Sequence, residues 1–432
     1  MEKVTLISLS AENFASFAER VEFKTLIETG KKEHMKNTAK HGNYTYNKTS
    51  FVYGANGSGK TFFCKIIREI QRMLEWSPLA TTLTASQIAA FPEIKGMDAP
   101  IANFAFDAAY EKRPTCFSVS ICIDETTYSY EFCIDGKKVL FEQLTKKYRR
   151  TEKLLERTSP LHKDIVLRSE LKGFEPTKHI VSEEALCLPV AAIFNNDFAN
   201  KLVSAIHSIQ TISMTAARLQ PAHGKESFEE SRKNKYLNIL RKADPTMRSL
   251  NISFKEEEVA SQKIQSDDFE NRELIMKKTT VDVAVDHAVY EDGEEISQKP
   301  MRFFTEESLG TVKLFTALPY LFDTLEDGGI LIVDEIENGL HLSLVKEIVK
   351  LFSDPRSNPN GAQLICTSHQ PLLINGAVRR DQVWVTSKDP HGKSSLHRMS
   401  EKGGARTKGN LTNRILEGAF GCNPEPFFEN VL

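Results

Sequence analysis

An α/β fold is what this 432-residue sequence predicts: a mixed sheet core with flanking helices, an antiparallel β subdomain and a mainly helical insertion. Three observations predict it. An apolar strand ending at Tyr53 runs into Gly54-Ala55-Asn56-Gly57-Ser58-Gly59-Lys60-Thr61 and then into a helix, the phosphate-loop pattern in its strand–loop–helix setting. Far downstream, Ile330-Leu331-Ile332-Val333 ends in Asp334-Glu335, the form of a buried parallel strand that stops at a carboxylate edge. Between them, Phe117, Val119 and Ile121, then Tyr128, Tyr130, Phe132 and Ile134, alternate with the period of half-buried antiparallel strands.

Composition sets wide bounds. Hydrophobic residues at 40% and charged residues at 26% are enough for a sizeable core and for two or three structural units. A net charge of −2 selects no class of partner, and a local basic patch keeps nucleic acid open. Cys64, Cys116, Cys122, Cys133, Cys187, Cys366 and Cys422 are odd in number and form no C-x-x-C pair. That predicts reduced thiols in a cytoplasmic protein, with neither a zinc site nor a disulfide framework. The opening MEKVTLISLS lacks the basic start and apolar core of a signal peptide, and no apolar window is long enough for a membrane span.

Taken in order, Val4, Leu6, Phe14, Phe17, Val21 and Phe23 are inward positions of short strands, and Lys31 to Lys48 is a polar, exposed loop. Phe62, Phe63, Ile66, Ile67, Ile70, Met73 and Leu74 fall at helical spacing behind the glycine-rich loop. Ser77 to Pro100 reads as linker; the alternating strands follow, with Asp124-Glu125-Thr126 as a turn and Val139 to Leu144 as a further strand. The stretch 146–157, KKYRRTEKLLER, reads as a basic helix, either a contact to a phosphate backbone or a solvated face. Onward to Arg241 the pattern is mostly helical, with Leu202, Ile206, Ile209 and Ile212 at helical spacing, and too short for a sustained coiled coil. Alternation returns at Val281, Val283 and Val285. The expected division is 1–145 and 281–432 as two parts of one nucleotide-binding head, with 146–280 inserted between them.

The residue types carry a definite chemistry. Glycines let the 54–61 backbone curl until its N–H groups face phosphate oxygens, with the positive end of the following helix behind them. Lys60 then reaches the β- and γ-phosphates of ATP, and Thr61 offers its hydroxyl to Mg²⁺. Asp334 would hold Mg²⁺ through its water shell, and Glu335 would polarise the attacking water. Glu306-Glu307-Ser308-Leu309-Gly310-Thr311 opens a helix that Ser308 caps, and the small residues Ser308, Gly310 and Thr311 would admit a phosphate to its N–H groups. Glu337-Asn338-Gly339-Leu340-His341 is a turn into a helix, and the apolar strand from Gln363 ends at His369, placed to bond the γ-phosphate and the water.

In this order the motifs resemble the ABC-type ATPase heads of SMC and OLD-like proteins, and most of all the standalone ABC-type, AAA-class ATPases of bacterial abortive-infection and anti-phage operons. On that resemblance GANGSGKT is Walker A, ESLGT a divergent signature, ILIVDE Walker B, ENGLH the D-loop and TSH the switch histidine. It extends to NFASF at 13–17, to Phe104 and Phe106, to RDQVWVTSK at 380–388 and to ILEGAFGCNP at 415–424, and does not cover the insertion. LSGGQ is absent, and the Q-loop residue stays unassigned between residues 103–106 and Gln87.

The resemblance implies two ATP molecules sandwiched between two chains, Ser308 to Thr311 of each closing the Lys60 site of the other. A homodimer or a higher even-numbered oligomer follows. It implies further a defence ATPase that answers a phage-derived trigger and controls a separate effector, a nuclease. The tail beyond His369 is too short to hold a Toprim-like nuclease, so the effector would be another polypeptide. A DNA-repair or chromosome-associated ATPase with 146–157 on DNA is the alternative. A transporter subunit is a third class, opposed by the divergent signature and the size of the insertion.

Overall fold

The computed structural model describes residues 2–28, 34–83, 97, 99–216, 228–266, 269–374 and 378–401, with backbone only over 256–279. The chain starts with β1 (Val4–Glu12) and β2 (Val21–Lys24), a small hairpin of β3 (Thr38–His41) and β4 (Tyr44–Asn47), then β5 (Thr49–Tyr53) and helix α1 (Lys60–Thr82). A helical turn, α2 (Ala108–Glu111), precedes β6 (Thr115–Ile123), β7 (Thr126–Asp135), β8 (Lys138–Lys147), β9 (Thr151–Arg157) and β10 (Ile165–Leu167). Helices α3 (Cys187–Ile193) and α4 (Asp197–His207) lead to β11 (Gln210–Ser213). Next come α5 (Glu230–Ala243), the long strands β12 (Met247–Ser266) and β13 (Phe269–Glu291), β14 (Glu294–Arg302) and the turn α6 (Phe303–Glu306). The last part holds α7 (Leu309–Asp327), β15 (Ile330–Asp334), α8 (Leu342–Ser353), β16 (Gln363–Ser368), β17 (Val383–Lys388) and β18 (Ser394–Arg398).

The described residues form two compact units: Met1–Ser213 with Thr324–Glu337 and the chain from Leu342 onward, and Met214–Asp323 with Asn338–His341. The first unit contains two large sheets. One is antiparallel, in the order β10-β9-β8-β7-β6-β1-β2; the other runs β11-β15-β16-β5-β17-β18, parallel throughout except for β18. Gln363 stitches them together, accepting from Leu6 N–H at 2.7 Å and donating to Leu6 O at 3.1 Å. On α1, Phe63, Ile66, Ile67, Ile70, Met73 and Leu74 are buried, each contributing about 1.5–3 kcal/mol of burial free energy. The second unit is built on the three-stranded sheet β12-β13-β14, and Phe228, Tyr236, Phe303 and Phe315 cluster within it.

Several expectations are corrected. Residues 146–157 are not a helix but the end of β8, a turn and β9, with Lys146 opposite Glu152 and Lys147 opposite Thr151. Lys, Arg and Glu are good helix formers, but the available strand edge of β8 overrides local preference, and Leu154 and Leu155 are both fully buried by it. The segment 146–280 is accordingly mixed rather than mainly helical. Ile212, read at helical spacing, belongs to β11, which joins the core sheet beside β15. Ser77–Thr82 continues α1 through Pro78, and Ser77 Oγ accepts from Leu186 N–H at 2.9 Å; residues 84–96 and 98, with Gln87, lie outside the described residues. Lys31 to Lys48 is not wholly an exposed loop, because β3 and β4 pair there and Asn37, Asn47 and Lys48 are buried.

The expectation of reduced thiols also fails at one pair. Cys116 and Cys133 are direct cross-strand neighbours on β6 and β7, and they form a disulfide. Sequence spacing did not reveal it, because two cysteines 17 residues apart face each other only when the intervening hairpin fixes their register. Cys64, Cys122, Cys187 and Cys366 are free and buried; Cys422 and the ILEGAFGCNP stretch lie outside the described residues. No helix among the described residues is long and apolar enough to cross a membrane.

Candidate nucleotide-binding site

Strand order assembles the site. Tyr53 at the end of β5 lies opposite Ser368 at the end of β16, and β16 pairs in parallel with β15, which ends at Asp334. The glycine-rich loop, His369 and the Asp334-Glu335 pair therefore leave one edge of three neighbouring parallel strands, the edge where open α/β sheets bind ligands. Helix α1 packs against β15, and Cys64, one turn after Lys60, has its thiol pushed well up by burial and then by the Asp334 carboxylate.

The loop conformation needs its glycines. Gly57 and Gly59 have φ of 77° and 110°, left-handed values that favour glycine. A Cβ on Gly54 would collide with Thr386 Oγ1 and Ser58 Oγ, two hydroxyls that share a 2.7 Å hydrogen bond. Asn56 and Gly57 are exposed at the crest of the loop, with Ala55 half-buried and Ser58 buried. Lys60 is buried, and its Nζ donates to the carbonyls of Gly54 (2.7 Å) and Ala55 (2.9 Å). Thr61 is exposed on the first turn of α1.

Across the edge, Thr367 is a branch point. Its hydroxyl donates to Asp334 Oδ1 at 2.7 Å and accepts the Glu335 backbone N–H at 2.8 Å. Glu335 has φ 52°, a left-handed conformation that a side-chain-bearing residue keeps only when its surroundings impose it. Glu337 Oε1 accepts the backbone N–H of His369 at 2.7 Å and lies 3.0 Å from His369 Nδ1. Glu337 Oε2 is buried without a hydrogen-bond partner, and the Tyr53 hydroxyl is pushed well up by burial, then by Cys366 and Glu337. The imidazole of His369 is half exposed, at 51%.

Ser308 to Thr311 belong to the second unit. The Ser308 hydroxyl accepts the Thr311 N–H at 3.2 Å and shares a 2.8 Å contact with Thr311 Oγ1, so the expected cap is present. Ser308 and Leu309 are exposed, Leu309 at 66%, while Thr311 is buried. The helix is fixed from behind by Lys313, whose ammonium binds the Asn338 side-chain and backbone oxygens. A Cβ on Gly310 would stand 2.7 Å from Gly339 O, so the backbones at 310 and 339 pack closely.

A protein-family profile described as "AAA domain, putative AbiEii toxin, Type IV TA system" matches residues 50–375. The chain belongs to this family of AAA-type ATPase domains. Two solved structures are similar along most of their length. The SMC head domain from Thermotoga maritima shares 10% identity at a TM-score of 0.38, with 91% of this chain and 98% of that one covered. The recombination mediator protein RecF-ATPrS in the RecFOR pathway shares 12% at 0.37, with the same coverage. None of the curated proteins matches. At those scores the fold rests on the strand order above and not on the two likenesses.

The residues present fit a magnesium nucleotide. Hydroxyl and carboxylate oxygens at Thr61 and Asp334 are the donor type a hard cation takes, and the left-handed glycine loop ahead of α1 is an anion cradle. Beside Gly59, the Ser16 and Ser394 hydroxyls are buried without hydrogen-bond partners; each lies 3.0 Å from where a Cβ on that glycine would sit. Thr367 and Glu337 are the residues that sequence reading missed. Both lie inside motifs already singled out, but only the fold shows that they hold Asp334, Glu335 and His369. The Q-loop candidates at 103–106 sit beside NFASF, with Ala15 N–H bonded to Ala102 O at 2.8 Å and Phe104 N–H to Asn13 Oδ1 at 3.1 Å. Phe106 is 69% exposed.

Proposed function

We propose that this chain is an ABC-type ATPase whose two nucleotide sites are each completed by a second copy, and that it is the sensor and scaffold of an abortive-infection system controlling a separate nuclease. The observation that carries the ATPase reading is the meeting of the Gly54–Thr61 loop, Asp334-Glu335 and His369 on one sheet edge. Lys60 turns from the loop carbonyls to the β- and γ-phosphates, the loop N–H groups neutralise developing charge, and Glu335 orients the water. His369, steadied by Glu337, contacts the γ-phosphate. Thr61 and Asp334 would hold Mg²⁺, which would supply neutralisation of the phosphate charge. Ser308, which caps the helix by accepting the Thr311 N–H, and Leu309 are exposed and form a surface for another chain's nucleotide.

The family description, a putative AbiEii toxin of a Type IV TA system, supports the defence context. The test is the mass and composition of a tagged Glu335→Gln protein recovered from its native host in MgATP. An even-numbered assembly with a nuclease companion is expected; a monomer indifferent to ATP contradicts the shared site.

The DNA-binding alternative is supported by one observation. The β8–β9 tip presents Lys147, Tyr148, Arg149 and Arg150 to solvent, Arg149 lying over the Tyr148 ring, while Lys146 is paired with Glu170. Neutralising Lys147, Arg149 and Arg150 should abolish any salt-sensitive DNA binding; DNA binding that survives the change removes this tip from the reading.

A further inference from the structure

The residue that precedes the signature serine is held by another strand. Glu307 Oε1 lies 2.7 Å from His287 Nε2, and His287 Nδ1 lies 2.7 Å from Thr246 Oγ1. Thr246 is bound to Asp244 Oδ1 through its hydroxyl at 2.6 Å and its backbone N–H at 2.9 Å. The His287 and Glu307 side chains retain only 12% and 6% exposure, so a hydrogen bond to the Glu307 carboxylate is shielded from water and worth more than on an open surface. Asp244, His287 and Glu307 offer ligand atoms within 4.8 Å of one another, and hydrogen bonds within the group engage them: Glu307 Oε1 is on Nε2, Thr246 Oγ1 is on Nδ1, and Asp244, 3.8 Å from Nδ1, holds Thr246. The arrangement is a clasp.

Its place in the fold gives it a role. His287 lies on β13 opposite Met247 of β12 and Lys299 of β14, near the base of the long hairpin. Phe303 packed at a tilt against Phe315, ring centroids 4.7 Å apart, and Lys313 on Asn338 fix the body of α7, whereas His287 fixes the residue at its mouth. We infer that His287 is a positioning residue for assembly of the nucleotide site. By holding Glu307 it sets Ser308, Leu309 and Gly310 in the arrangement that meets the phosphates bound to a second copy, and it ties that arrangement to the β12–β13 hairpin. The inference rests on the shared-site reading above.

The test uses the full chain carrying Glu335→Gln, with association in MgATP followed by sedimentation velocity over a range of chain concentrations. Binding of a fluorescent ATP analogue is measured separately, at concentrations where the chains stay apart. His287→Ala is expected to weaken association about tenfold while nucleotide affinity of the separate chain is unchanged. His287→Gln, whose amide N–H takes the place of Nε2, should restore most of the association; His287→Asn, which replaces the Nδ1 side, should not. A general folding defect would affect Asn and Gln alike, so equal behaviour of the two overturns the clasp, as does a His287→Ala protein that associates as tightly as its parent. A parent that does not associate in MgATP overturns the shared site itself, and the inference falls with it.

Discussion

At the scale of single residues, the site depends on a carboxylate held in an unfavourable backbone conformation. Glu335 at φ 52° costs on the order of 1–3 kcal/mol, and Thr367 offsets part of it by accepting the Glu335 N–H while donating to Asp334. Glu335→Gln should lower kcat by about 10²–10⁴-fold and leave ATP affinity nearly unchanged, measured by steady-state turnover and by equilibrium binding. Wild-type turnover in that variant removes Glu335 as the base. Glu337 works through His369: Glu337→Ala frees the imidazole and should lower kcat by about tenfold, the scale of one hydrogen bond to a charged group, with KM little changed. A matched rise in KM would instead assign Glu337 to nucleotide binding. Lys60, Asp334 and Glu335 were legible because their chemistry has fixed spacing along the chain. Thr367 and Glu337 were not, because their importance lies in what they touch across β15 and β16.

At the scale of elements, two turns decide whether β5 delivers the loop correctly. Gly54 faces Thr386 on β17, and Thr386 O is 2.7 Å from where its Cβ would be. Gly54→Ala should therefore destabilise by about 1–3 kcal/mol and abolish nucleotide binding, checked by thermal unfolding and titration. The second turn is Arg379-Arg380-Asp381-Gln382. Gln382 Nε2 donates to Thr49 O at 2.7 Å, and Asp381 accepts from Arg379 and from Glu28 N–H. Burial works upward on the Asp381 carboxyl, yet the Arg379 guanidinium and the Glu28 N–H hold it below the usual carboxylate range. The stability it contributes is thus present above its unfolded pKa of about 3.9 and is lost as pH falls through the lower folded value. With both side chains nearly inaccessible, 2% and 0% exposed, Asp381→Asn should cost about 3–5 kcal/mol near neutral pH, read as a drop in the denaturation midpoint that shrinks in acid. The strands at 117–134 and the helix after Lys60 were legible from periodicity. The β8–β9 hairpin was hidden by helix-forming charged residues whose strand partner is a property of the fold.

At the scale of the whole molecule, the head was legible from the order of its motifs, which the strand order β15-β16-β5 turns into one edge. The insertion was not. The helical spacing of Leu202, Ile206, Ile209 and Ile212 runs across a boundary, since Ile212 lies on a strand of the core sheet, and the long β12–β13 hairpin has no helical period to announce it. One unit thus carries the 54–61 loop and the other the 308–311 segment, and the proposed shared site joins the loop of one copy to the 308–311 segment of a second. The most direct test mixes two defective proteins, Lys60→Ala with a dead P-loop and Ser308→Arg with a blocked signature. Each alone should hydrolyse no ATP, and their mixture should regain activity through the mixed dimer, which pairs an intact P-loop from one chain with an intact signature from the other. If the mixture stays as inactive as its components, the signature serves its own chain and the shared site is wrong.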